Sequence, residues 1–498
     1  STLGNPAAQY VRVETPGPDG SADWTESWFD GFGRTYRTAK RGPSIAEAIL
    51  SDAEFNPRGA LETQSAPYYA NAGGAMWTDF DYDVFDRPVK TTLPDGKTRL
   101  TSYPGLDANG LFQTVSTNEL GQSSTSKTNV LGQLKKQEQS TSLHGLLTTS
   151  RNYDVQGRMT SLVDTVGNTW SYTFDSLGRN LTKADPDAGA WTYAYDDAGR
   201  MTSQLDAKGQ ATTLGYDAAG RLQYRKLRPS GGITGSVSEY VETVYGTNAA
   251  LFNKGRVTQL VTKNGAGVEQ NGKLSFEYDA LGRAVKQTRT LDGSSYVVER
   301  NYDAAGYLRG IKYPDNDVIG AFGGSGTALG YDTAGRLNSI PGILTSVTYN
   351  ALGAPLVQTN ANGTTTTKTY DASRFWLTDI DTVSGGSVVL QDLHYAMNDA
   401  GMATSVTSPF AKEGWSYGYD ELNRLVSATN TSHAAESQTW TYDSLGRFTS
   451  NSRVGTTFSY PSSGQARPHA PTQISGGALG TLTFSYDANG NMTSGNGK

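Results

Sequence analysis

The sequence contains no cysteine and only four histidines among its 498 residues. The absence of cysteine excludes a disulfide framework, a thiolate metal site and a thiol nucleophile. The histidines are far apart and none lies in an HExxH-type metal pattern; they are His144, His394, His433 and His469. The chain therefore has few of the histidine and cysteine side chains that bind transition metals, and we expect no cofactor and no metal.

Long apolar runs and long basic runs are also missing. No stretch of about 18 apolar residues occurs, so no segment is predicted to span a membrane. The net charge is -6 with mixed signs along the chain, which argues against nucleic-acid binding. Hydrophobic residues make up only 36% of the chain even with tyrosine included. So few aliphatic residues favour a thin, well-solvated sheet over several thick globular cores.

Glycine and tyrosine are abundant, and they recur in a motif that reads aromatic–Asp–x–x–Gly–Arg. In its four clearest neighbouring copies the aromatic positions 153, 174, 195 and 216 are 21 residues apart. Further copies begin at Tyr302, Tyr349, Tyr370, Tyr419 and Tyr486, and weaker ones at Phe29, Phe55, Tyr82, Thr128 and Met397. The candidate site residues are the structural motif residues Tyr153, Asp154, Gly157, Arg158, Phe174, Asp175, Gly178, Arg179, Tyr195, Asp196, Gly199, Arg200, Tyr216, Asp217, Gly220, Arg221, Tyr278, Asp279, Gly282, Arg283, Tyr331, Asp332, Gly335, Arg336, Tyr442, Asp443, Gly446 and Arg447.

The motif has the chemistry of a tight hairpin turn between two strands. An aspartate at the first turn position caps the turn with its side chain, and the glycine takes a left-handed conformation. A type I turn followed by a glycine bulge is a common hairpin connection. Upstream, Trp170, Tyr172 and Phe174 alternate, which places them on one face of a strand. A second turn, such as residues 206–209, closes each unit, so about 21 residues hold two strands of about seven residues each.

The repeat predicts an all-β fold, namely a long array of antiparallel β-hairpins rolled into a spiral, hollow shell-like sheet. At ~21 residues per hairpin the chain holds nearly fifty strands, whereas open twisted sheets rarely exceed ~10 strands without curling. A single loop of that many strands would be ~70 Å across, too wide for side chains to fill. A parallel β-solenoid is the rival fold, but its core is built of aliphatic ladders, and a propeller needs a period near ~40 residues.

One segment conflicts with the array. Residues 44–47 (Ser-Ile-Ala-Glu) resemble a helix capping box that leads into Ala48, Ile49 and Leu50. The register of the hairpins requires a strand at this point, so we predict a strand, with a short helix as the alternative.

As a set, these motif copies resemble the Rhs/YD-repeat family, which comprises bacterial Rhs polymorphic toxins, insecticidal toxin-complex B/C components and teneurin-like YD shells. The resemblance covers most of the chain from about Phe29 onward. It divides the chain into a lead-in segment, 1–28, and a repeat array, 29–498, with degenerate repeats over 29–150 and regular repeats over 151–498. The array stops without the family's Rhs core region, so we expect this chain to be an internal piece of a larger protein.

The resemblance implies a non-catalytic wall of a hollow β-shell that encloses and protects a C-terminal toxin or other cargo. Its implied partners are that cargo polypeptide, which is not in this chain, and other toxin-complex or secretion components, with no nucleic acid. Its implied location is secreted or on the bacterial cell surface. Self-cleavage in the family belongs to the missing core region and is not transferred to any residue here.

Two other functional classes stay open at the level of sequence. A cell-surface adhesion or glycan-binding module would use exposed aromatic faces, and a glycan lyase on a solenoid is a more distant option. Individual catalytic and ligand motifs fail. Asp79, Asp81 and Asp83 start like a calcium loop, but Val84 replaces the required glycine and Lys90 the final glutamate. The motif aspartates and arginines recur many times, whereas a catalytic pair is normally unique, so we predict that the chain is not an enzyme.

Overall fold

The computed structural model describes residues 9–18, 20–44 and 47–495. Within these ranges the chain forms 43 β-strands and no α-helix, and three short 3-10 turns lie at Gly232–Thr234, Ala249–Leu251 and Ala434–Glu436. Strands β1 to β22 are Tyr10–Pro16, Ala22–Phe29, Thr35–Lys40, Ile49–Phe55, Leu61–Ser65, Tyr68–Tyr69, Trp77–Tyr82, Pro88–Thr92, Thr98–Leu106, Phe112–Thr117, Ser123–Thr128, Leu134–Thr141, Gly145–Tyr153, Met159–Val163, Thr169–Phe174, Asn180–Asp185, Gly189–Tyr195, Met201–Leu205, Ala211–Tyr216, Leu222–Arg228, Glu239–Tyr245 and Val257–Asn264. Strands β23 to β43 are Lys273–Tyr278, Ala284–Leu291, Ser294–Tyr302, Leu308–Lys312, Val318–Gly320, Gly330–Tyr331, Leu337–Ser339, Leu344–Tyr349, Pro355–Asn360, Thr365–Tyr370, Leu377–Val383, Val389–Met397, Ala403–Thr407, Trp415–Tyr419, Leu425–Asn430, Gln438–Tyr442, Phe448–Asn451, Thr457–Ser459, Gln473–Gly477, Gly480–Tyr486 and Met492–Gly495.

Strands that follow one another in the chain pair in antiparallel fashion, except that β6 pairs with β4 and β5 with β7, and that the ladder is broken after β27, β29 and β39. Strands β1 to β27 form one 27-stranded sheet, followed by sheets of two, ten and four strands. The first break follows a glycine-rich stretch in which Gly323, Gly324 and Gly326 have positive φ, so the backbone leaves the ladder there. The predicted antiparallel hairpin array is confirmed, with its ladder interrupted at three places.

Aromatic and polar side chains alternate along the strands, so that one face of the ribbon is half-buried and the other is exposed. In β15, Trp170, Tyr172 and Phe174 are half-buried, whereas Ser171 and Thr173 between them are exposed. Few residues are fully buried: the apolar ones are Ala39, Ile49, Ala211, Val261, Leu329, Val347, Ala351, Val406, Ala428, Ile474 and Leu482. This distribution is that of a wall one sheet thick, in which both faces keep some contact with solvent.

The hairpin turns form the two long edges of the ribbon. The motif edge contains the turns that follow the aromatic–Asp pair, such as 154–157 and 196–199. The return edge contains the turns that close each unit, such as 164–167 and 206–209. Because strands alternate in direction, all turns of one kind lie on the same side of the ribbon.

The ribbon winds back onto itself after about 280 residues. The amide Nδ2 of Asn489 donates to Asp206 Oδ2 at 2.7 Å across 283 positions of sequence. The turn after β18 thereby meets the turn after β42, so one coil of the spiral holds 24 strands. At ~4.8 Å per strand, a coil has a circumference of ~115 Å and a width of roughly 35–40 Å.

The observed spiral and its width can be compared with the shape and diameter expected for the rolled sheet. The ~70 Å single loop is wrong because the ribbon overlaps itself instead of closing in one circuit. A coil of 24 strands is still far wider than an eight-stranded barrel, whose interior side chains can fill. The space inside a coil is therefore large enough for water or polypeptide.

Residues 44–47, for which we predicted a strand with a short helix as the alternative, are described only in part, because residues 45 and 46 lie outside the described ranges. The Ser44 hydroxyl donates to Glu47 Oε2 at 3.1 Å, and the Glu47 amide donates to the Ser44 carbonyl at 3.1 Å. Strand β4 then begins at Ile49. Of the two alternatives, the strand is present from Ile49 onward. In the part of the chain with assigned structure, no helix has the length and apolar character needed to cross a bilayer.

Candidate functional site

Each motif turn is held by its aspartate, as the copy at residues 216–221 illustrates. Asp217 Oδ1 accepts hydrogen bonds from the Ala219 amide at 3.0 Å and the Arg221 amide at 2.9 Å, and Oδ2 accepts from Arg221 Nε at 2.8 Å. The Gly220 amide donates to the Asp217 carbonyl at 2.9 Å, and the ladder register shifts at Tyr216. The turn is thus a capped turn followed by a bulge, as predicted.

The same geometry recurs in all the clearest copies. The glycines have φ between 75° and 85°, which L side chains rarely adopt, and they are Gly157, Gly178, Gly199, Gly220, Gly282, Gly335 and Gly446. The aspartate–arginine ion pairs measure 2.6 to 2.8 Å, and they are Asp154–Arg158, Asp175–Arg179, Asp196–Arg200, Asp217–Arg221, Asp279–Arg283, Asp332–Arg336 and Asp443–Arg447. The side-chain hydrogen bond from Arg221, together with the Arg221 amide, holds the pKa of Asp217 below its usual range against the opposing effect of burial.

The arginine of each copy also binds the next copy along the ribbon. The guanidinium of Arg200 lies 4.7 Å from the centroid of the Tyr216 ring, and that of Arg221 lies 4.0 Å from the Tyr245 ring. In copies such as Arg179, the Nη1 atom donates to the carbonyl of the next aspartate, here Asp196, at 2.9 Å. A cation placed over an aromatic face adds attraction beyond the hydrogen bonds. Over residues 153–221 the motif edge is therefore a continuous strip of aspartate, arginine and aromatic side chains.

The tyrosine hydroxyl explains why this position prefers tyrosine to phenylalanine. Tyr216 Oη donates to the carbonyl of Met201 at 2.8 Å, and Tyr195 Oη to that of Asn180 at 2.9 Å. In both cases the acceptor is the residue that follows the arginine of the preceding copy. Phe174 occupies the equivalent position in its own copy and has no hydroxyl to make this bond.

A second set of contacts, which we call the seam, joins successive coils. In the seam the return edge of residues 42–208 meets the motif edge of residues 333–489. The hydrogen-bonded pairs lie 255 to 297 positions apart and include Thr333 with Gly42, Glu421 with Ser142, and Asn489 with Asp206. Asn168 and Pro468, the largest side chains that are fully buried in the described residues, both lie at this seam.

Arg374 is the most heavily bonded side chain of the seam. Its Nη1 lies 2.8 Å from Asp95 Oδ2 and its Nη2 lies 3.0 Å from Glu119 Oε1 of the previous coil. Its side chain is 8% exposed, and its guanidinium stacks 4.3 Å from the Trp376 ring. Burial by itself would raise the pKa of Glu119, but the hydrogen bond from Arg99 and the two arginine charges lower it overall.

Arg374 belongs to a motif copy that departs from the pattern. It occupies the position of the motif glycine, one residue earlier than a motif arginine, and the left-handed conformation moves to Phe375, at φ 59°. The Asp371 amide consequently donates to the carbonyl of Trp376, five residues on instead of four. The extra residue frees this arginine from its own turn and directs it across the seam.

His469 forms a second polar contact of the seam. Its Nδ1 lies 2.7 Å from Asp187 Oδ2, its Nε2 lies 3.4 Å from Asp164 Oδ2, and its ring stacks on Trp170 at 5.6 Å. The ring is thus held between two carboxylates of the previous coil. Lys208 adds a further ion pair, 2.9 Å from Asp487 Oδ2, and this bond lowers the pKa of Asp487 to about 2.

The residues considered for a calcium loop have separate roles. Asp83 caps a motif turn and pairs with Arg87 at 2.6 Å, and Asp81 pairs with Lys90 at 3.5 Å. Among residues 9–18, 20–44 and 47–495, no group of three or more ligating side chains has the geometry to hold a metal ion. The four histidines do not converge either: His144 and His469 lie at different points of the seam, His394 lies in β34, and His433 precedes a 3-10 turn.

The repeated turn and strip match a known repeat in sequence. The RHS Repeat family model matches residues 153–190, 180–211 and 195–232, the stretch that holds the four regularly spaced copies. A curated relative, toxin subunit YenC2 of Yersinia entomophaga, is 30% identical over 139 residues, covering 23% of this chain and 14% of the relative.

Solved structures match the fold over nearly the whole chain. The crystal structure of TcdB2-TccC3-Cdc42 superposes with a TM-score of 0.77 at 17% identity, covering 97% of this chain and 29% of that chain. The Photorhabdus luminescens Tc holotoxin pore gives a TM-score of 0.77 at 18% identity, with the same coverage of both chains. The chain carries RHS repeats over residues 153–232 and shares its fold with these Tc toxin structures.

The chain is short beside the proteins that it matches. It spans 14% of the curated relative and under a third of the solved chains that it matches. Its sequence predicted the motif contacts within one hairpin, but not the seam. The one available signal for the seam was the departure of residues 370–376 from the motif, where an arginine replaces the glycine.

Proposed function

We propose that this chain is a non-catalytic wall segment of a longer Rhs/YD-repeat protein, whose coiled ribbon encloses and protects a C-terminal toxin or other polypeptide cargo. The observation that carries the proposal is the seam. A ribbon that overlaps itself after about 280 residues and is bonded from coil to coil makes a closed side wall, whereas an adhesive strip needs no such closure.

The dimensions of the coil support an enclosing role. A width of roughly 35–40 Å, less a layer of side chains of about 5 Å on each wall, leaves an inner space about 25–30 Å wide. A compact domain of ~100 residues has a radius of gyration of ~13 Å. The inner space thus accommodates a polypeptide chain that is not fully folded, whereas a compact domain of that size, about 34 Å across, is wider than the space.

The chemistry of the repeat supports a structural role for its charged residues. Each motif aspartate is already bonded to its own turn amides and arginine, and each arginine is placed over the next aromatic ring, as in Asp217, Arg221 and Tyr245. Groups engaged in this way in copy after copy support a structural role for the motif.

The partners and the location are proposed by analogy with the relatives. The similar solved structures are Tc toxin assemblies, so we propose toxin-complex components as partners and a secreted or cell-surface location. The cargo and the delivery route depend on the longer protein.

Limited proteolysis of the longer protein tests the proposal. We expect the polypeptide that follows the ribbon to be digested much more slowly within that protein than when it is expressed alone. A matched protein with Arg374→Gln and Lys208→Gln, which weaken the seam at two places, should lose part of this protection. Equal digestion of the enclosed and isolated polypeptide would contradict the container function and favour the adhesion or glycan-binding alternative.

A further inference from the structure

One motif copy of the second coil has a longer turn than the regular copies. Tyr460 is its motif tyrosine, because its Oη donates to the carbonyl of Phe448 at 2.9 Å. Pro471 takes the place that follows the motif arginine, since its carbonyl accepts the hydroxyl of Tyr486 at 2.8 Å. Ten residues, 461–470, separate Tyr460 from Pro471, whereas the regular copies have five at this point. We call these ten residues the strap.

The strap crosses the seam and bonds two successive return turns of the previous coil. The Ser463 hydroxyl donates to the Val166 carbonyl of one turn at 2.8 Å. The Arg467 amide donates to the Pro186 carbonyl of the next turn at 2.7 Å. Between these contacts and the ladder, Pro468 is fully buried. The insertion therefore ties the second coil to two turns of the first at once.

His469 is the residue of the strap that can gain or lose a proton near neutral pH. Its side chain is 27% exposed and lies between two carboxylates, with Nδ1 2.7 Å from Asp187 Oδ2 and Nε2 3.4 Å from Asp164 Oδ2. Its amide also donates to Asp187 Oδ1 at 3.2 Å. Within the described residues, these two aspartates have ion-pair contacts with His469 alone. The ring therefore places a positive charge between them only when it is protonated.

The other charged groups around the strap already have partners. Arg467 Nε donates to the carbonyl of Asp487 at 2.7 Å, and Arg447 Nη1 donates to the carbonyl of Pro468. The neighbouring ions form pairs, which are Lys183–Asp185 at 2.8 Å, Lys208–Asp487 at 2.9 Å and Arg447–Asp443 at 2.6 Å. None of these groups is a histidine, and histidine is the side chain whose charge ordinarily changes between about pH 5 and pH 8. A change of pH in this range therefore acts on His469 within the cluster.

The two protonation states of the ring make different numbers of bonds to the previous coil. A protonated imidazole has two N–H groups and can donate to both carboxylates, and both bonds are strengthened by charge. A neutral imidazole has one N–H group, so one of the two carboxylates then faces a nitrogen lone pair. The contact between the coils is therefore stronger when the ring is protonated.

We propose that the strap is a pH-sensitive lock of the seam, which holds the two coils together more tightly when His469 is protonated than when it is neutral. The lock tightens as the pH falls from about 8 to about 5.5 and loosens as the pH rises. This goes beyond the wall function, because it gives the seam two states of different strength. It concerns the contact between coils and holds whatever the wall encloses, so the two proposals can fail separately.

Hydrogen exchange of the strap amides at pH ~5.5 and pH ~8 tests the proposal. The amides of Arg467 and His469 should have protection factors roughly tenfold higher at the lower pH, after correction for the intrinsic pH dependence of exchange. His469→Gln, whose side chain does not titrate, should give equal protection at the two pH values. Asp164→Asn should reduce the pH difference, and its turn should be retained because Asn118 caps the equivalent return turn through its Oδ1.

His144→Gln is the matched control, because His144 also lies at the seam but faces a cation, with its Nε2 3.4 Å from Arg424 Nη2. This variant should keep the full pH difference at the strap. The Thr472 amide, which donates to the Ser459 carbonyl at 2.8 Å beside the strap, reports on folding and should be equally protected in every variant. Equal strap protection at the two pH values in the wild-type chain would overturn the proposal. So would a pH difference that persists in His469→Gln, or one of the same size at Thr472.

Discussion

Arg374 Nη1 lies 2.8 Å from Asp95 Oδ2, although the two residues are 279 positions apart. No strand ladder connects them, and they meet because the ribbon has completed one coil between them. This ion pair, with that of Arg374 and Glu119, fixes which turn of the second coil faces which turn of the first. The seam therefore depends on a few side chains, whereas the ladder depends on backbone bonds at nearly every strand.

Replacing Arg374 by glutamine should loosen the seam while leaving the hairpins intact. The change removes one partner from a largely buried charge cluster, which should lower the free energy of unfolding by about 2–3 kcal/mol. Hydrogen exchange should rise at seam amides such as that of Ser142, which donates to Glu421. Exchange at ladder amides of the same strands should change little.

Arg200→Gln is the control for this prediction. Arg200 makes the same kind of ion pair, to Asp196 at 2.7 Å, but lies on the motif edge of the first coil, away from the seam. Its loss should affect the local turn and leave seam exchange unchanged. Equal exchange in the two variants would show that Arg374 does not hold the coils together.

The hairpins could be predicted from sequence because each is stabilised by residues close together in the chain. Asp217, Gly220 and Arg221 determine their turn within five positions, and the alternation of Trp170, Tyr172 and Phe174 determines a strand face. The number of hairpins, with the limit on flat sheets, then requires a rolled ribbon.

The pitch of the spiral could not be predicted in the same way. It depends on the twist summed over 24 strands, and no local pattern specifies where the ribbon meets itself. The estimate of ~70 Å across assumed one circuit and was wrong for this reason. Pairs such as His469 with Asp187 are ordinary surface residues in the sequence and become partners only when the coils overlap.

Replacing Gly199 by valine should destabilise one turn without any steric clash. Gly199 has φ 81° and open space where a Cβ would lie, so the cost arises from backbone conformation alone. A β-branched residue at this φ should lower the free energy of unfolding by about 1–2 kcal/mol. Gly199→Asn should cost much less, because Asn423 occupies the equivalent position at φ 61°. Similar chemical denaturation curves for the two variants would contradict this explanation.

His394 should make the sheet less stable at alkaline pH. Its Nδ1 lies 2.6 Å from Asp379 and its Nε2 lies 2.8 Å from Asp392. The hydrogen bond with Asp379 and the nearby carboxylates of Asp392 and Asp381 raise the pKa of His394. A raised folded pKa means that the stabilisation is fully present below the unfolded value of ~6.5 and disappears as the pH rises through the folded pKa.

Two measurements check this pH dependence. An NMR titration of the His394 ring should give a higher midpoint in the folded chain than in urea, and Asp379→Asn should lower it. His394→Asn should remove the corresponding difference in unfolding free energy between pH ~5 and pH ~9. An unshifted midpoint in the folded wild-type chain would refute the prediction.

The motif ion pairs should make the wall sensitive to acid, and the chain itself contains the uncharged replacement that tests this. Hydrogen bonds from the amide and the side chain of the motif arginine lower the pKa of Asp175, Asp196 and Asp217. The stabilisation is present above the unfolded value of ~3.9 and is lost as the pH falls through the folded pKa. An amide pair replaces the ions in one motif copy, where Asn129 Nδ2 donates to Gln133 Oε1 at 2.7 Å, and in the return turn at 118–122, where Asn118 Nδ2 donates to Gln122 Oε1 at 2.7 Å. Asp217→Asn/Arg221→Gln should therefore keep its turn, be less stable than wild type at neutral pH, and approach wild-type stability near pH ~3. Denaturation curves of both proteins at the two pH values measure this difference. If the difference is as large in acid as at neutral pH, the stabilisation does not come from the ionised aspartate, and the prediction is wrong.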